Sequence, residues 1–404
     1  MLALCCGSPT LVPTTPPAVV TSATLAPSVG PPRGTPTSES AVPVIFQAPP
    51  TLRGDWVFAL TGGVEVSGGR PVAPTTELWA VPLSGGAALR VASFTDSHEF
   101  TTVPLNALRK QFSADGRRVV FTVSDRQASG APRLGLVLID LAGGTVTRIG
   151  QDTADHLFPA ISPDGRQVAY ARRLAGVDDG LWLVNSDGSA PRRIAPAVAG
   201  RATYVYGWTP DARGIGFDNI GVEASYAVIE VASGKVAGFS GFLPLWYGAP
   251  AAWRSGGSPA FVAGFVDQPP PQLGEYRIEV GDTPGGPQRV LVRESDHFVM
   301  LGAPRWNPTS DDILYRRLIT QLRAEFYVVR ASGGAPKRVP LAAQPYLAEW
   351  TPGGDDIVYI AQSPSTTSYA GVSVHVAARD GSGDREILSL PDGGIADLVT
   401  FRYQ

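Results

Sequence analysis

The chain has 404 residues, 44% of them hydrophobic, which is enough for one large domain or two or three ordinary ones. Its 46 glycines and 37 prolines make up about a fifth of the chain, against an average of ~12%, and both residue types work against helices, so a mainly helical fold is excluded. A net charge of −3 lacks the basic footprint of a nucleic-acid binder, and no apolar run approaches the ~18 residues of a membrane-spanning helix.

Only two cysteines are present, Cys5 and Cys6, so there is no disulfide framework and no cysteine-based zinc site. They sit in Leu2-Ala3-Leu4-Cys5-Cys6-Gly7-Ser8, which resembles the end of a bacterial lipoprotein signal. The resemblance implies lipidation of Cys6 or Cys5, which then becomes the mature N-terminus. Leu4 and Cys5 stand where that family prefers small residues, and Met1-Leu2-Ala3-Leu4 is shorter than the usual ~7–15-residue apolar region, which leaves the start codon and the choice of cysteine open. Residues 8–50 follow with 11 Pro, 7 Thr and 5 Ser and only two charged residues, Arg33 and Glu39. Such a segment cannot bury enough apolar surface to offset its ordering entropy. Residues 1–50 are therefore expected to be a truncated signal or anchor region and an extended tether, and residues 51–404 the folded body.

The body repeats itself. A strand is expected at Gly54-Asp-Trp-Val-Phe-Ala-Leu60. An apolar residue followed by a tight polar turn then recurs: Phe112-Ser-Ala-Asp-Gly-Arg117, Ile161-Ser-Pro-Asp-Gly-Arg166, Trp208-Thr-Pro-Asp-Ala-Arg213, Trp253-Arg-Ser-Gly-Gly-Ser258, Trp306-Asn-Pro-Thr-Ser-Asp311 and Trp350-Thr-Pro-Gly-Gly-Asp355. The spacings are 49, 47, 45, 53 and 44 residues. Pro presets φ, Asp bonds its own backbone and Gly accepts positive φ, so these are turns. Short strands should follow them, as at Arg118–Val123, Gln167–Tyr170, Ile313–Tyr315 and Ile357–Ile360. Seven hairpins follow in turn, starting near Leu78, Val137, Leu181, Tyr226, Tyr276, Phe326 and Val372. Strands such as Leu181-Trp-Leu-Val184 are apolar on both faces, so each sheet is packed on both sides. Four-stranded units of this period, stacked face to face, predict an all-β β-propeller, with seven blades favoured over six or eight. There are seven hairpins but six turns. The strand at Ile395–Tyr403 is therefore expected to pair into blade 1 and close the ring, which hides both sheet edges.

These motifs resemble the WD40-like repeats of the TolB family and of related propellers in tricorn-type and prolyl-oligopeptidase-like proteins. Ser162-Pro-Asp-Gly-Arg166 with Val168-Ala-Tyr170 and Leu181-Trp-Leu-Val-Asn-Ser-Asp-Gly188 is the nearest match. The resemblance covers residues 54–404 and implies fold far more than function. TolB has an N-terminal α/β domain and usually six blades, so the chain is expected not to be TolB itself.

No Gly-x-Ser-x-Gly, P-loop, HExxH or EF-hand spacing is present; Gly238-Phe-Ser-Gly-Phe242 fails the first of these. Asp115, Asp164 and Asp211 recur at one position and read as turn caps rather than calcium ligands. His98, His156 and His297 each precede a turn motif, in segments expected to join one blade to the next and to run inward toward the channel. Together they are the candidate set for a divalent metal, since imidazole suits Zn, Mn or Fe-type ions; packing between blades is the bland alternative. A propeller-fold pectin-fragment lyase family uses a His-rich metal site of this general kind, a likeness at fold level. Tyr204, Tyr206, Trp246, Tyr247 and Tyr346 are the candidate ligand funnel, weighed against a packing role. His375 falls in a hairpin strand and receives no role. The expectation is thus an extracytoplasmic, membrane-tethered, non-catalytic binding or scaffold propeller. Its partner would be a protein, peptide or glycan at one face, with no nucleic acid, no required cofactor, and contact with a membrane through a lipid alone. The alternative is a metal-dependent lyase or hydrolase at a His-lined channel mouth.

Overall fold

Short runs rich in Val, Ile, Leu and aromatic residues, punctuated by Gly, Pro and Asp, form strands throughout the body. The structure, a computed structural model, describes residues 44–47, 52–62, 65–67, 70–72, 75–95, 108–125, 133–150, 152–220, 226–238, 251–254, 261–266, 275–283, 285–296, 300–320, 323–341, 344–362, 372–390 and 395–404. Its strands assemble into seven blades in a ring, a β-propeller, as the repeat predicts.

Blades 3 to 7 each run from an innermost to an outermost strand in sequence order. Their innermost strands are Asp155–Ile161, Ala202–Trp208, Ala251–Trp253, Met300–Trp306 and Gln344–Trp350. Blade 1 is made from both ends of the body. Gly54–Gly62 pairs with Thr75–Pro82 on one side and with the C-terminal strand Ile395–Tyr403 on the other, in a register that sets Gly54 against Tyr403 and Phe58 against Val399. The C-terminal strand is therefore the innermost strand of blade 1, and it closes the ring. A fifth strand, Val44–Phe46, pairs with Leu89–Thr95 at the outer edge of the same sheet. It lies inside the segment whose composition reads as tether, because Val-Ile-Phe is a three-residue apolar island between prolines. In blade 2 the strands are Arg118–Asp125, Arg133–Asp140 and Thr145–Ile149. The inner position holds a one-turn helix, Leu108–Gln111, followed by a single bridge from Phe112 to Val119.

Alternation along a strand sends neighbouring side chains to opposite faces. Phe58 and Leu60 accordingly pack with Phe112, Phe121 and Leu141 of blade 2, while Val57 and Ala59 pack with Val358, Ile360 and Val374 of blade 7. Apolar clusters of this kind fill the interfaces between successive blades all the way round. Each fully buried Phe, Leu or Val stabilises the ring by about 1.5–3 kcal/mol.

The recurrent turn joins the innermost strand to the second. Its Ser or Thr main-chain N–H donates across the turn: Ser113 N to Arg118 O, Ser162 N to Gln167 O, Thr209 N to Gly214 O and Thr351 N to Asp356 O, all at 2.8–2.9 Å. The same hydroxyl donates to the Asp two residues on, at 2.6 Å in Ser113–Asp115, Ser162–Asp164 and Thr209–Asp211. That Asp in turn accepts the N–H of Arg117, Arg166 or Arg213. One carboxylate oxygen, Oδ1, thus caps the turn in each case. The fourth residue of the turn needs positive φ, met by Gly116 (70°), Gly165 (71°) and Gly354 (77°) but by Ala212 (58°) in blade 4. A Cβ at left-handed φ costs ~1 kcal/mol. Ala212→Gly is expected to raise stability by about 0.5–1 kcal/mol in urea unfolding, whereas Gly165→Ala lowers it by at least as much.

Candidate functional site: the ring axis

An innermost strand has no neighbour on its axial side, so some of its main-chain groups need partners from elsewhere. The motif tryptophans meet part of that need. Trp208 Nε1 donates to Ala160 O of the preceding blade at 2.9 Å, Trp306 Nε1 to Ala252 O at 3.2 Å, and Trp350 Nε1 to Arg305 O at 3.3 Å. Thr400 Oγ1 of the closing strand donates to Trp350 O at 2.7 Å.

The residue just before each motif position differs in size around the ring. It is Ala160, Gly207 and Ala252 in blades 3 to 5, and Arg305, Glu349 and Gln111 in blades 6, 7 and 2. The small side fits the helix Leu108–Gln111. A Cβ built on Gly207, whose φ is 140°, would meet Lys110 Cβ at 3.5 Å, so the helix lies against blade 4. Lys110 Nζ donates to Val205 O of that blade at 2.7 Å and sits 4.5 Å from the centre of the Tyr204 ring. At the other end, Leu108 N donates to Asp397 Oδ2 of blade 1 at 2.8 Å. The helix thus reaches from blade 1 to blade 4 along the inner edge of the ring, with Leu108 and Gln111 buried.

A buried ionic cluster lies near this helix. Arg305 Nε is 3.1 Å from Glu349 Oε2, close enough for an ion pair although the N–H is not aligned for a hydrogen bond. Arg305, Glu349 and Asp397 are 4%, 3% and 5% exposed. Arg305 Nη1 also donates to Pro304 O, and Glu349 Oε1 accepts Trp350 N. Burial lowers the Arg305 pKa, against the attraction of Glu349 and Asp397. Burial likewise pushes the Asp397 carboxyl up to about 7, against the Leu108 N–H and the Arg305 charge.

An aromatic row runs from blade 3 through blade 4 into its interface with blade 5. Phe158, Tyr204, Tyr206 and Tyr226 follow one another with ring centres 4.5, 4.9 and 5.3 Å apart. Burial, with Asp218 nearby, raises the Tyr206 hydroxyl pKa well above its usual value. Tyr204, Tyr206 and Tyr346 lie in innermost strands, as does His156, rather than in segments that join blades. These strands carry bulges at Leu157/Ala160, Val205/Gly207 and Pro345/Leu347, which break the alternation by which their first halves would have been recognised as strand.

His156 is 1% exposed, edge-on to Tyr170 at 4.8 Å and 3.0 Å from Asp152. Asp152 is also held by Arg172 at 2.9 Å. Burial lowers the His156 pKa. A Cβ on Gly150 would stand 2.4 Å from the His156 ring, so the imidazole is boxed in. His98, His297, Trp246 and Tyr247 lie outside the described residues, as do Cys5 and Cys6. Among the described residues, no group of three or more His, Cys, Asp or Glu is arranged to hold a metal ion.

One arrangement away from the axis escaped the sequence reading. On blade 7, Ser373 Oγ lies 2.9 Å from His375 Nε2, His375 Nδ1 lies 3.1 Å from Asp384 Oδ1, and Tyr359 OH donates to Asp384 Oδ2 at 2.5 Å. Ser-x-His places the two side chains on one face of a strand. Asp384 comes next to them only through the following turn, a pairing that no short motif advertises.

Asp397 has a testable consequence. Its folded pKa is raised above the unfolded value, so its contribution to stability is fully present below about pH 4 and is lost as pH rises through about 7. The stability difference between the native chain and Asp397→Asn, from unfolding at a series of pH values, should shift against the native chain across that window and then level off.

No protein-family model matches the chain, and no curated protein matches it. Solved structures do. Oligogalacturonate lyase in complex with manganese is 13% identical, covering 83% of this chain and 86% of that one, with a TM-score of 0.51. The β-propeller domain of the Trilobed protease from Pyrococcus furiosus is 10% identical, covering 83% and 95%, with a TM-score of 0.52. TolB from Acinetobacter baumannii is 13% identical, covering 86% and 83%, with a TM-score of 0.44. At these identities the likeness establishes the propeller fold alone.

Proposed function

We propose that this chain is a non-catalytic binding propeller, tethered outside the cytoplasm at a bacterial envelope, that presents a face of the ring to a protein, peptide or glycan. The inner edge of the ring carries this reading. There the described side chains are spent on holding blades together, a helix tied to blades 1 and 4 and a buried ionic cluster among them, which favours recognition at the outer surface. The Pro/Thr/Ser segment supplies reach, and Cys6 or Cys5 supplies the lipid. No helix among the described residues is long and apolar enough to cross a membrane.

A metal-dependent lyase reading rests on likeness of fold to the manganese-bound oligogalacturonate lyase and on His98, His156 and His297. His156 does not fit that role, since Asp152, Tyr170 and Gly150 enclose its ring.

Two measurements test the proposal. Intact mass of the protein from the membrane fraction should show acyl groups on Cys6 or Cys5; unmodified cysteines would end the tether reading. Purified full-length protein should release no unsaturated sugar from oligogalacturonate with manganese present. Manganese-dependent release, abolished by His156→Gln, would replace the binding reading with the lyase.

A further inference from the structure

The blade 7 hairpin carries a connected set of groups that the binding role does not use. Val372–Ala378 is the third strand of its blade, paired to Asp356–Gln362 on one side and Arg385–Leu390 on the other. Val374 and Val376 face blade 1, within the apolar cluster that holds Val57 and Val81. Ser373 and His375 share the opposite face with Ala377, which packs toward Phe326 of blade 6. His375 is half-buried and stacks on Tyr359 with ring centres 5.1 Å apart, and its side chain is 17% exposed.

The protonation pattern follows from the partners. Asp384 accepts the Tyr359 hydroxyl proton on Oδ2, so its ionised carboxylate offers Oδ1 only as an acceptor. His375 Nδ1 must then carry the hydrogen between them. In the neutral ring that leaves Nε2 with a lone pair, 2.9 Å from Ser373 Oγ, so the serine hydroxyl donates to it. A nucleophile, a base that can take its proton, and a group that orients the base are thus all within hydrogen-bond reach. Tyr359 fixes the orienting carboxylate in turn.

We propose that Ser373 is an activated serine that accepts an acyl group from activated esters, with His375 as its base and Asp384 as the residue positioning the imidazole. Ser373 Oγ bonds to the ester carbonyl carbon as its proton passes to His375 Nε2. Collapse of the tetrahedral adduct breaks the bond to the leaving oxygen, which departs with that proton. The strand is paired on both sides, with one register shift at Val374/His375, so among the described residues its main-chain N–H groups serve the sheet rather than an oxyanion hole. Such a hole is worth ~10²–10³ in rate, and without it the acyl group should remain on the serine. The modification is stoichiometric and therefore compatible with a ring that binds through its face.

The test uses the full chain with p-nitrophenyl acetate, and separately with a fluorophosphonate probe, followed by peptide mass spectrometry. The expected result is one adduct per chain on Ser373, no adduct there in Ser373→Ala, and labelling at Ser373 slowed by ~10² in His375→Gln, the usual contribution of a positioned base. Asp384→Asn should slow it by at least ~10-fold while the melting temperature reports whether the variant is folded. Absence of an adduct on Ser373 in the native chain overturns the proposal, as does labelling of Ser373 at the same rate in folded His375→Gln or Asp384→Asn.

Discussion

A tryptophan indole N–H of one blade, donated to a main-chain carbonyl of the blade before it, fixes the centre of this ring. Apolar burial between blades supplies most of the stabilisation, but burial has no direction and would tolerate sliding of one sheet over the next. The indole bonds of Trp208, Trp306 and Trp350 do not, because each requires one carbonyl at one distance. Each contributes ~1 kcal/mol net, and each would leave a buried polar group unpaired if its blade slipped. Outside them, the turns are tied in the same sense around the ring. Arg118 Nη1 reaches Gly165 O, Asn307 Nδ2 reaches Gly354 O, and Tyr403 OH reaches Gly116 O. The last of these joins the C-terminal strand to blade 2, so closure is held both by a ladder within blade 1 and by a bond beyond it.

That constraint shapes the axis. Bulged inner strands in blades 1, 3, 4, 6 and 7 bring main-chain groups and side chains into a narrow space, and this chain resolves the crowding asymmetrically. Blades 3 to 5 give Ala160, Gly207 and Ala252, which leave room; blade 2 contributes a helical turn in place of a full inner strand and fills that room. Blades 6, 7 and 1 contribute Arg305, Glu349 and Asp397, whose charges offset one another at a burial that would be prohibitive for any of them alone. A centre built this way is a hub that sets the spacing of blades, and the surfaces left for recognition are the faces and rim.

The sequence showed the fold through devices that must sit at one place in every blade. Turns need Asp at 115, 164 and 211 and a residue tolerant of positive φ after it, and both buried faces need unbroken apolar strands such as Leu181–Val184. Closure was legible as a mismatch between seven hairpins and six turns. The strand Val44–Phe46 was hidden by prolines around it. The helix Leu108–Gln111 was hidden because four residues with helical propensity have no periodicity to detect. At the axis, aromatic residues were recognisable by type, but bulges disguised the strands that carry them. Arg305, Glu349 and Asp397 come from three blades, and nothing local to any of them announces the other two. The same holds for Ser373, His375 and Asp384, where a serine and a histidine two apart look like ordinary surface strand.

The ring depends most heavily on the C-terminal strand as the closing member of blade 1. Its most direct test is a chain ending at residue 393, measured for solubility and thermal unfolding alone and with a synthetic peptide spanning residues 394–404. Closure by this strand predicts that the shortened chain aggregates or melts far below the full chain, and that the peptide restores solubility and raises the melting temperature. A shortened chain that stays soluble, melts as the full chain does and ignores the peptide would contradict it.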